Sequence, residues 1–185
     1  MSAPPQHDRI EIWRYQYARA SLIEASEAAK FLLGKGPLRS PLQEAVVSLI
    51  VMAYARPFTE SRTTASERLI PLNKKAVPPA FGDLHAELLH MRNWAIGHKD
   101  ATAFPSTLLN RVVVHVGDSG IELRTTSPIN ITDSALRRTL ELCGHPITHC
   151  EAEVRKYISY FSGVCKGVYY LSLEQSPSEW LEKKD

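Results

Sequence analysis

The chain has 185 residues, 44% of them hydrophobic, which predicts one domain with a well-buried core. Its 22 basic and 20 acidic residues leave a net charge of +2, so a strong overall positive field is excluded and any polyanion site must be local. Three cysteines, an odd number, argue against a disulfide framework and favour a reducing compartment.

The start of the chain predicts no targeting segment. Met1 to Asp8 contain neither the basic start nor the apolar run of a signal peptide. The longest nearly apolar run, Ala45 to Ala55, is shorter than the roughly 20 residues that cross a bilayer. The sequence therefore predicts a soluble, cytoplasmic protein without a membrane as partner.

Two helices are predicted in the first third of the chain. Residues 8–33 are rich in Ala, Leu, Glu and Arg and contain no Gly or Pro, which predicts one long helix. Residues 40–56 predict a second helix, with Ser40 as N-cap and Pro41 in the first turn. Because this second helix is apolar nearly all round, we expect it to be the buried central one.

Residues 57–79 are a polar connection, and a loop of this length in a compact domain is usually functional or mobile. Basic residues in and beside it are candidates to hold phosphates without reading bases. These residues are Arg56, Arg62, Arg68, Lys74 and Lys75.

The second half of the chain predicts a third helix over 80–97 and then a β-hairpin. Alternating residues on both sides of the turn Gly117 to Gly120 predict a hairpin over 111–126. A lone hairpin is marginal in water, so it must lie against the helices or pair with a partner chain.

Apolar residues at helical spacing predict a fourth helix over 132–173, opening at Thr132 or Asp133. The segment Gly144 to Pro146 should kink it. A short tail, 176–185, follows, with Trp180 as its expected anchor.

Two histidine-containing segments resemble metal sites superficially. Cys143, His145, His149 and Cys150 lie within eight residues, but on a helix the cysteines share one face and the histidines roughly the opposite one. We expect core cysteines and a surface histidine pair, with half a metal site as the alternative.

A second such segment contains His85 and His90. They are five positions apart, about 140° round a helix, whereas the two histidines of a zinc-protease helix are four apart. No metal and no cofactor are predicted.

The segment Arg92-Asn93-Trp94-Ala95-Ile96-Gly97-His98 carries the residues best suited to chemistry. Arg92 is a permanent cation suited to phosphate, and His98 can exchange a proton near neutral pH. Six positions put them about 240° apart on a regular helix, so they converge only if the helix bends or ends, which Gly97 allows. The alternative is that Arg92 pairs with Glu87 or Asp100 and that His98 merely ends a helix.

Three neighbouring side chains are open to two interpretations. His85 precedes Arg92 by close to two helical turns and could stand over the same site, or it could cap or line the bundle. Tyr54 and Trp94 could stack on a base, although core packing is the expected role of both.

The Arg92-to-His98 segment resembles the signature of the HEPN (higher eukaryote and prokaryote nucleotide-binding) superfamily. That signature is an Arg, a polar residue such as Asn93, and a His after four to six intervening positions in all. The family is a small bundle of two antiparallel helix pairs. The resemblance implies a mainly α fold over 1–185, a HEPN-like bundle of four principal helices, with the hairpin at about 110–127 as an insertion.

The resemblance also implies a function. Many members of the family are metal-independent RNA endonucleases that act as toxins or antiviral effectors, and their site is completed in a homodimer. Arg92, Asn93 and His98 would be the catalytic residues, and Arg56, Arg62, Lys74, Lys75 and His85 would contact RNA. A cognate antitoxin or nucleotidyltransferase protein would be a further partner.

The rival hypothesis is a non-catalytic bundle of the same fold that acts as a nucleotide-binding, regulatory or dimerisation module, since fold alone does not establish activity. The two hypotheses differ in geometry. A nuclease needs Arg92 and His98 accessible in a shared cleft, whereas a scaffold would seal them in intramolecular pairs.

Overall fold

Four α-helices account for more than half of the described residues in this computed structural model. They are α1 (Gln6–Lys35), α2 (Ser40–Ala55), α3 (Gly82–His90) and α4 (Asp133–Arg155). The structure describes residues 4–36, 40–59, 61–62, 68–69, 71–96, 111–117, 120–126, 132–165, 169–171 and 180–183. Within these ranges only the backbone is described for 40, 61–62, 68–69, 94–96, the two long strands, 170 and 182.

Helix α1 is the centre of the bundle because both α2 and α4 pack against it. Its buried positions are mostly small, as at Ala18, Ala25 and Ala29, which are at most 2% exposed. These three positions are spaced by seven and four residues and share one face of α1, where small side chains let a neighbouring helix approach closely. The prediction that the second helix would be central is therefore wrong.

The described residues bury only one side of helix α2. Val47, Ile50, Val51 and Tyr54 are fully buried in the core. By contrast, Leu42 is 51% exposed and Leu49 is 39% exposed. No helix within the described ranges is long and apolar enough to cross a membrane.

Helix α4 begins where the sequence predicts. Thr132 is its N-cap, and the hydroxyl of Thr132 accepts a hydrogen bond from the backbone N–H of Ala135 at 3.2 Å. The helix is continuous across Pro146, which is buried in the core. Cys143 and Cys150 are fully buried, so the prediction that they are core residues is confirmed.

Helix α4 ends at Arg155, so the prediction of a helix reaching residue 173 is wrong. A 3₁₀-helix follows over Ile158–Phe161, and Gly163 adopts φ 88°, a left-handed conformation that favours glycine. The chain then forms a strand at Tyr169–Leu171. The apolar spacing in this stretch reflects packing of turns and a strand, not continuation of the helix.

All strands pair as antiparallel two-stranded ribbons. The pairs are β1 (Ser61–Arg62) with β2 (Arg68–Leu69), β3 (Arg111–Gly117) with β4 (Gly120–Thr126), and β5 (Tyr169–Leu171) with β6 (Leu181–Lys183). In the second pair Arg111 is opposite Thr126 and Gly117 is opposite Gly120. That this ribbon is an insertion into a known framework rests on the family resemblance alone.

The C-terminal segment is held by Trp180, as predicted. Trp180 is only 8% exposed, and its ring lies 5.4 Å from that of Phe161. The strand that follows Trp180 was not predicted, since three residues are too few to show an alternating pattern.

We expect Ile50→Ala to reduce the free energy of unfolding by about 2–5 kcal/mol, because Ile50 is fully buried and the substitution leaves a cavity. The matched control is Ile158→Ala, at a residue 66% exposed, which should change it by less than about 0.5 kcal/mol. Urea denaturation of both variants measures the difference. Equal effects would contradict this core assignment.

Candidate functional site: the Arg92 segment and the buried His85

Arg92 and Asn93 lie just after the point where the α-helix becomes a π-helix. Helix α3 ends at His90, and the chain continues as a π-helix over Met91–Ile96. At the junction the backbone N–H of Met91 is directed at the carbonyls of both Glu87 and Leu88. π-helical turns are rare and often occur at functional sites. The helix type thus changes six residues before Gly97, and Gly97 itself, where a bend is predicted, lies outside the described residues.

The side chains of Arg92 and Asn93 contact each other. Arg92 Nη1 donates to Asn93 Oδ1 over 2.9 Å, with Asn93 exposed and Arg92 half-buried. Within the described residues no carboxylate pairs with Arg92, and Glu87, one of the two expected partners, does not. His98 and Asp100 lie outside the described residues, so the convergence of Arg92 and His98 stays a prediction.

His85 is buried in the bundle. It is 6% exposed, and its Nδ1 lies 2.7 Å from the hydroxyl oxygen of Tyr54. Its ring also makes an edge contact with Phe58, with 4.8 Å between ring centroids. This placement favours the interpretation of His85 as a residue that lines the bundle over its role as an RNA contact.

Tyr54 is fully buried, and its ring packs on Phe58 with 5.3 Å between centroids. Core packing is therefore its role, and it offers no surface on which a base can stack. The side chain of Trp94 lies outside the described part of the structure.

Burial keeps both members of the Tyr54–His85 pair neutral. It raises the pKa of the Tyr54 phenol far above its usual value. It also lowers the pKa of His85, and the positive charge of Lys74 lowers it further. The pair is thus a hydrogen bond between two uncharged groups.

The direction of this hydrogen bond follows from the surroundings of His85. The Nε2 atom of His85 is buried and has no hydrogen-bond partner among the described residues. If Tyr54 donates to Nδ1, one group, the Nε2–H, is left unpaired; if Nδ1–H donates to Tyr54, both the phenol hydrogen and the Nε2 lone pair lack partners. Each unpaired buried group costs roughly 1–3 kcal/mol, so Tyr54 is the donor.

The basic residues near the connection are differently placed. Arg56 Nη1 lies 3.0 Å from Glu24 Oε2 in an ion pair whose side chains are 38% and 43% exposed. Lys74 and Lys75 are exposed in the 3₁₀-helix Lys74–Ala76, where Asn73 Oδ1 accepts the backbone N–H of Lys75 at 2.9 Å.

The connection folds back on its own start. The backbone N–H of Leu72 donates to the carbonyl of Pro57 over 2.8 Å, and the positive charge of Lys74 acts on His85 in α3. Arg62 and Arg68 are register partners in the short ribbon, but their side chains lie outside the described part. The structure therefore joins Lys74 to the surroundings of His85 and leaves Arg56 in a pair with α1.

The predicted surface pair of His145 and His149 splits between two contacts. The ring of His145 packs on Phe81 at 5.6 Å, and that of His149 on Tyr15 at 6.0 Å. In the described ranges no group of three or more His, Cys, Asp or Glu residues is arranged to hold a metal ion. Burial raises the pKa of the thiols of Cys143 and Cys150 to about 11, so both stay protonated at neutral pH.

An apolar pocket lies apart from these residues, with a volume of about 340 Å³. It is lined by Ile12, Trp13, Gln16, Phe161, Val164, Tyr169, Leu171 and Leu181. None of them belongs to α2, α3 or the π-helix. Sequence reasoning missed this pocket because its walls come from segments about 150 residues apart.

The Tyr54–His85 hydrogen bond was also missed. A sequence signal existed, because His85 sits between Leu84 and Leu88 on the core side of α3, and both leucines are buried. A histidine within an apolar stripe usually has a buried partner. Which residue of α2 supplies it depends on the helix packing.

No known protein-family description matches the sequence, and comparisons with characterised proteins and with solved structures gave no match.

The buried, neutral His85 predicts a loss of stability in acid. The pKa of His85 is lower in the folded chain, so the unfolded chain binds the proton more tightly. The free energy of unfolding therefore decreases as the pH decreases. The stabilisation is complete above the unfolded pKa of about 6.5 and is lost as the pH falls from there towards the folded pKa. We expect His85→Asn to reduce this loss between pH 7 and pH 5, measured by urea unfolding.

The control is His7→Asn, at an exposed position near the start of α1. This variant should keep the wild-type dependence of stability on pH. The same pH dependence in wild type and His85→Asn would contradict the buried neutral state.

Proposed function

We propose that the protein is a metal-independent endoribonuclease of HEPN type that cleaves RNA by attack of the ribose 2′-hydroxyl on the adjacent phosphate. The observation that carries the proposal is the state of Arg92. Its guanidinium lies at a π-helical turn, contacts Asn93 and is paired with no carboxylate among the described residues. A cation in that state can bind a phosphate without first breaking an ion pair.

In the proposed reaction the 2′-oxygen forms a bond to phosphorus while the bond to the 5′-oxygen of the next nucleotide breaks. The products are a 2′,3′-cyclic phosphate and a 5′-hydroxyl end. His98 moves the proton as base or acid, for which an ordinary histidine pKa near 6.5 is well suited.

Arg92 would stabilise the charge that develops on the phosphorane oxygens. A guanidinium has five N–H donors, and the contact with Asn93 uses one of them, so others can bind two phosphate oxygens at once. Asn93 holds the guanidinium in place at 2.9 Å. Its proposed role is to fix the direction of Arg92 and to orient a phosphate oxygen.

One such segment supplies few groups, so the proposal includes a two-fold homodimer in which two Arg92 segments complete the site. The proposed biological class is a toxin or antiviral effector, with an antitoxin or nucleotidyltransferase protein as cognate partner. Lys74 and Lys75, both exposed, are the proposed contacts to the RNA backbone.

The alternative proposal is a non-catalytic bundle with a binding or regulatory role. Two observations favour it. The ion pair with Glu24 occupies Arg56, and the hydrogen bond with Tyr54 occupies His85, so two of the expected RNA contacts have partners within the chain. An assay of RNA cleavage by the purified protein decides between the ribonuclease and the non-catalytic bundle.

We expect the purified protein to cleave single-stranded or loop RNA in the presence of EDTA and to leave 2′,3′-cyclic phosphate ends. His98→Ala should lower the rate by about 10²–10⁴-fold, since general acid–base catalysis contributes about that much. Arg92→Ala should abolish cleavage, and Arg92→Lys should restore it only in part because the planar fork is lost. The ends are identified by mass spectrometry of the products.

The matched control is Arg138→Ala, which removes an exposed arginine from α4 and should cleave as wild type does. Wild-type rates in His98→Ala, or suppression by EDTA, would show that the mechanism is wrong. Absence of cleavage on every RNA offered would favour the binding module.

The ion pair of Arg56 gives a separate prediction about RNA binding. Exposed pairs contribute about 0–1 kcal/mol, so a phosphate can compete with Glu24 for Arg56. We expect Glu24→Gln to strengthen binding to single-stranded RNA and Arg56→Ala to weaken it. Arg56→Ala should also reduce the slope of log affinity against log salt by about 0.7, the loss of one phosphate contact.

Fluorescence anisotropy at several salt concentrations measures both effects. Glu27→Gln is the matched control, because Glu27 pairs with Lys30 at 2.7 Å one turn away on the same helix. If Glu24→Gln and Glu27→Gln change the affinity equally, the effect is that of net charge and Arg56 has no contact with RNA.

A further inference from the structure

Helix α2 has a second apolar face that the described part of the chain leaves exposed. Positions 42, 45, 49 and 52 recur at intervals of three and four residues and therefore share one side of the helix. Leu42, Ala45 and Leu49 are exposed and Met52 is partly exposed. The core face, with Val47, Ile50, Val51 and Tyr54, lies on the other side.

A helix that is apolar all round is normally covered all round. Here the outward face is without charge from position 42 to position 52, and only Arg56, one turn further on, ends it. Phe31, 42% exposed near the end of α1, adds to the same helical hairpin. The described part of the chain exposes four large apolar residues, which are Phe31, Leu42, Leu49 and Ile158.

The spacing of this face matches the seam of a coiled coil. The sizes of its side chains are also complementary to those of a second, antiparallel copy. Consider two copies of α2 that run antiparallel, with the two-fold axis outside the outward face at the height of position 47 along the helix. Leu42 then faces Met52 of the second copy, and Ala45 faces Leu49 of the second copy. Each small residue thus lies opposite a large one, and the two-fold repeats every contact.

The area available is close to what a dimer needs. The exposed parts of Phe31, Leu42 and Leu49, with Ala45 and Met52, present apolar surface on the order of 300 Å² per copy, the size of a functional patch. Two copies would bury about 600 Å² of apolar surface. With an apolar share of about 65%, the whole interface reaches roughly 1,000 Å², the lower bound of a biological interface.

We propose that the outward face of α2, formed by Leu42, Ala45, Leu49 and Met52, is a homodimer interface in which α2 packs antiparallel against α2 of a second copy. This specifies the dimer contact of the proposed function, but the contact itself does not depend on RNA cleavage. Helix α2 also packs against the π-helix that carries Arg92, so the helix that forms the contact touches the Arg92 segment of its own copy as well.

The test uses two single substitutions, Ala45→Lys and Leu49→Glu, and sedimentation equilibrium of the full chain from about 1 to 100 μM. The wild type should be a dimer with a concentration-dependent monomer fraction. Each variant alone should dissociate at least tenfold more readily, because its new charge faces an apolar residue of the second copy. Both positions are exposed in the monomer, so circular dichroism and the urea midpoint should show a folded chain.

An equimolar mixture of the two variants should restore the dimer. In the antiparallel arrangement the lysine introduced at position 45 of one copy faces the glutamate introduced at position 49 of the other, while the remaining Leu49 and Ala45 make their wild-type contact. Parallel helices would place each position opposite itself, and mixing would restore nothing. Ile158→Glu, at an exposed residue outside this face, is the control and should dimerise as wild type does.

A monomeric wild type at 100 μM, dimers of undiminished affinity in both single variants, or no recovery on mixing would each overturn the proposal. RNA cleavage by the same samples separates the two proposals. A dimer with the expected mixing behaviour that cleaves no RNA retains the interface and rejects the ribonuclease. A monomer that cleaves RNA retains the ribonuclease and rejects the interface.

Discussion

The packing of α1 against both α2 and α4 is the constraint on which the rest of the structure depends. Ala18, Ala25 and Ala29 share one face of α1 and are almost completely buried, so their small size lets a packed neighbour approach this helix closely. A larger residue at any of these positions would push one neighbour away, since interiors are packed at the density of organic crystals. Small side chains on α1 therefore limit how closely the bundle packs against this helix, which both α2 and α4 contact.

The Tyr54–His85 hydrogen bond transmits this arrangement to α3. Tyr54 is fixed in the core by α2, and His85 is one turn into α3, so their 2.7 Å contact joins the two helices at one point. Phe58 packs on both rings. Arg92 lies two turns beyond His85, so this buried polar contact helps to fix the helix that carries the Arg92 segment.

The two faces of α2 illustrate how one helix can serve two contacts. One face holds fully buried residues that pack in the core, and the other carries Leu42 and Leu49 on the outside. The same helix also touches the π-helical segment. Helix α2 therefore connects the proposed assembly with the Arg92 segment of the proposed enzyme.

The sequence by itself determined the local features. The cap at Thr132, the core role of Cys143 and Cys150 and the anchoring by Trp180 could all be predicted, because capping and burial depend on residue type and nearby spacing. For the candidate site, the sequence singled out Arg92 and Asn93 as candidate residues, but it did not predict the contact between their side chains.

Only the tertiary structure decided which helix is central, where α4 ends and which interpretation of His85 holds. It also decided that Glu24, far away in sequence, pairs with Arg56. These outcomes depend on contacts between residues that are distant along the chain. Such contacts leave no periodic pattern in a single sequence, because their free energy comes from the partner that packing brings near.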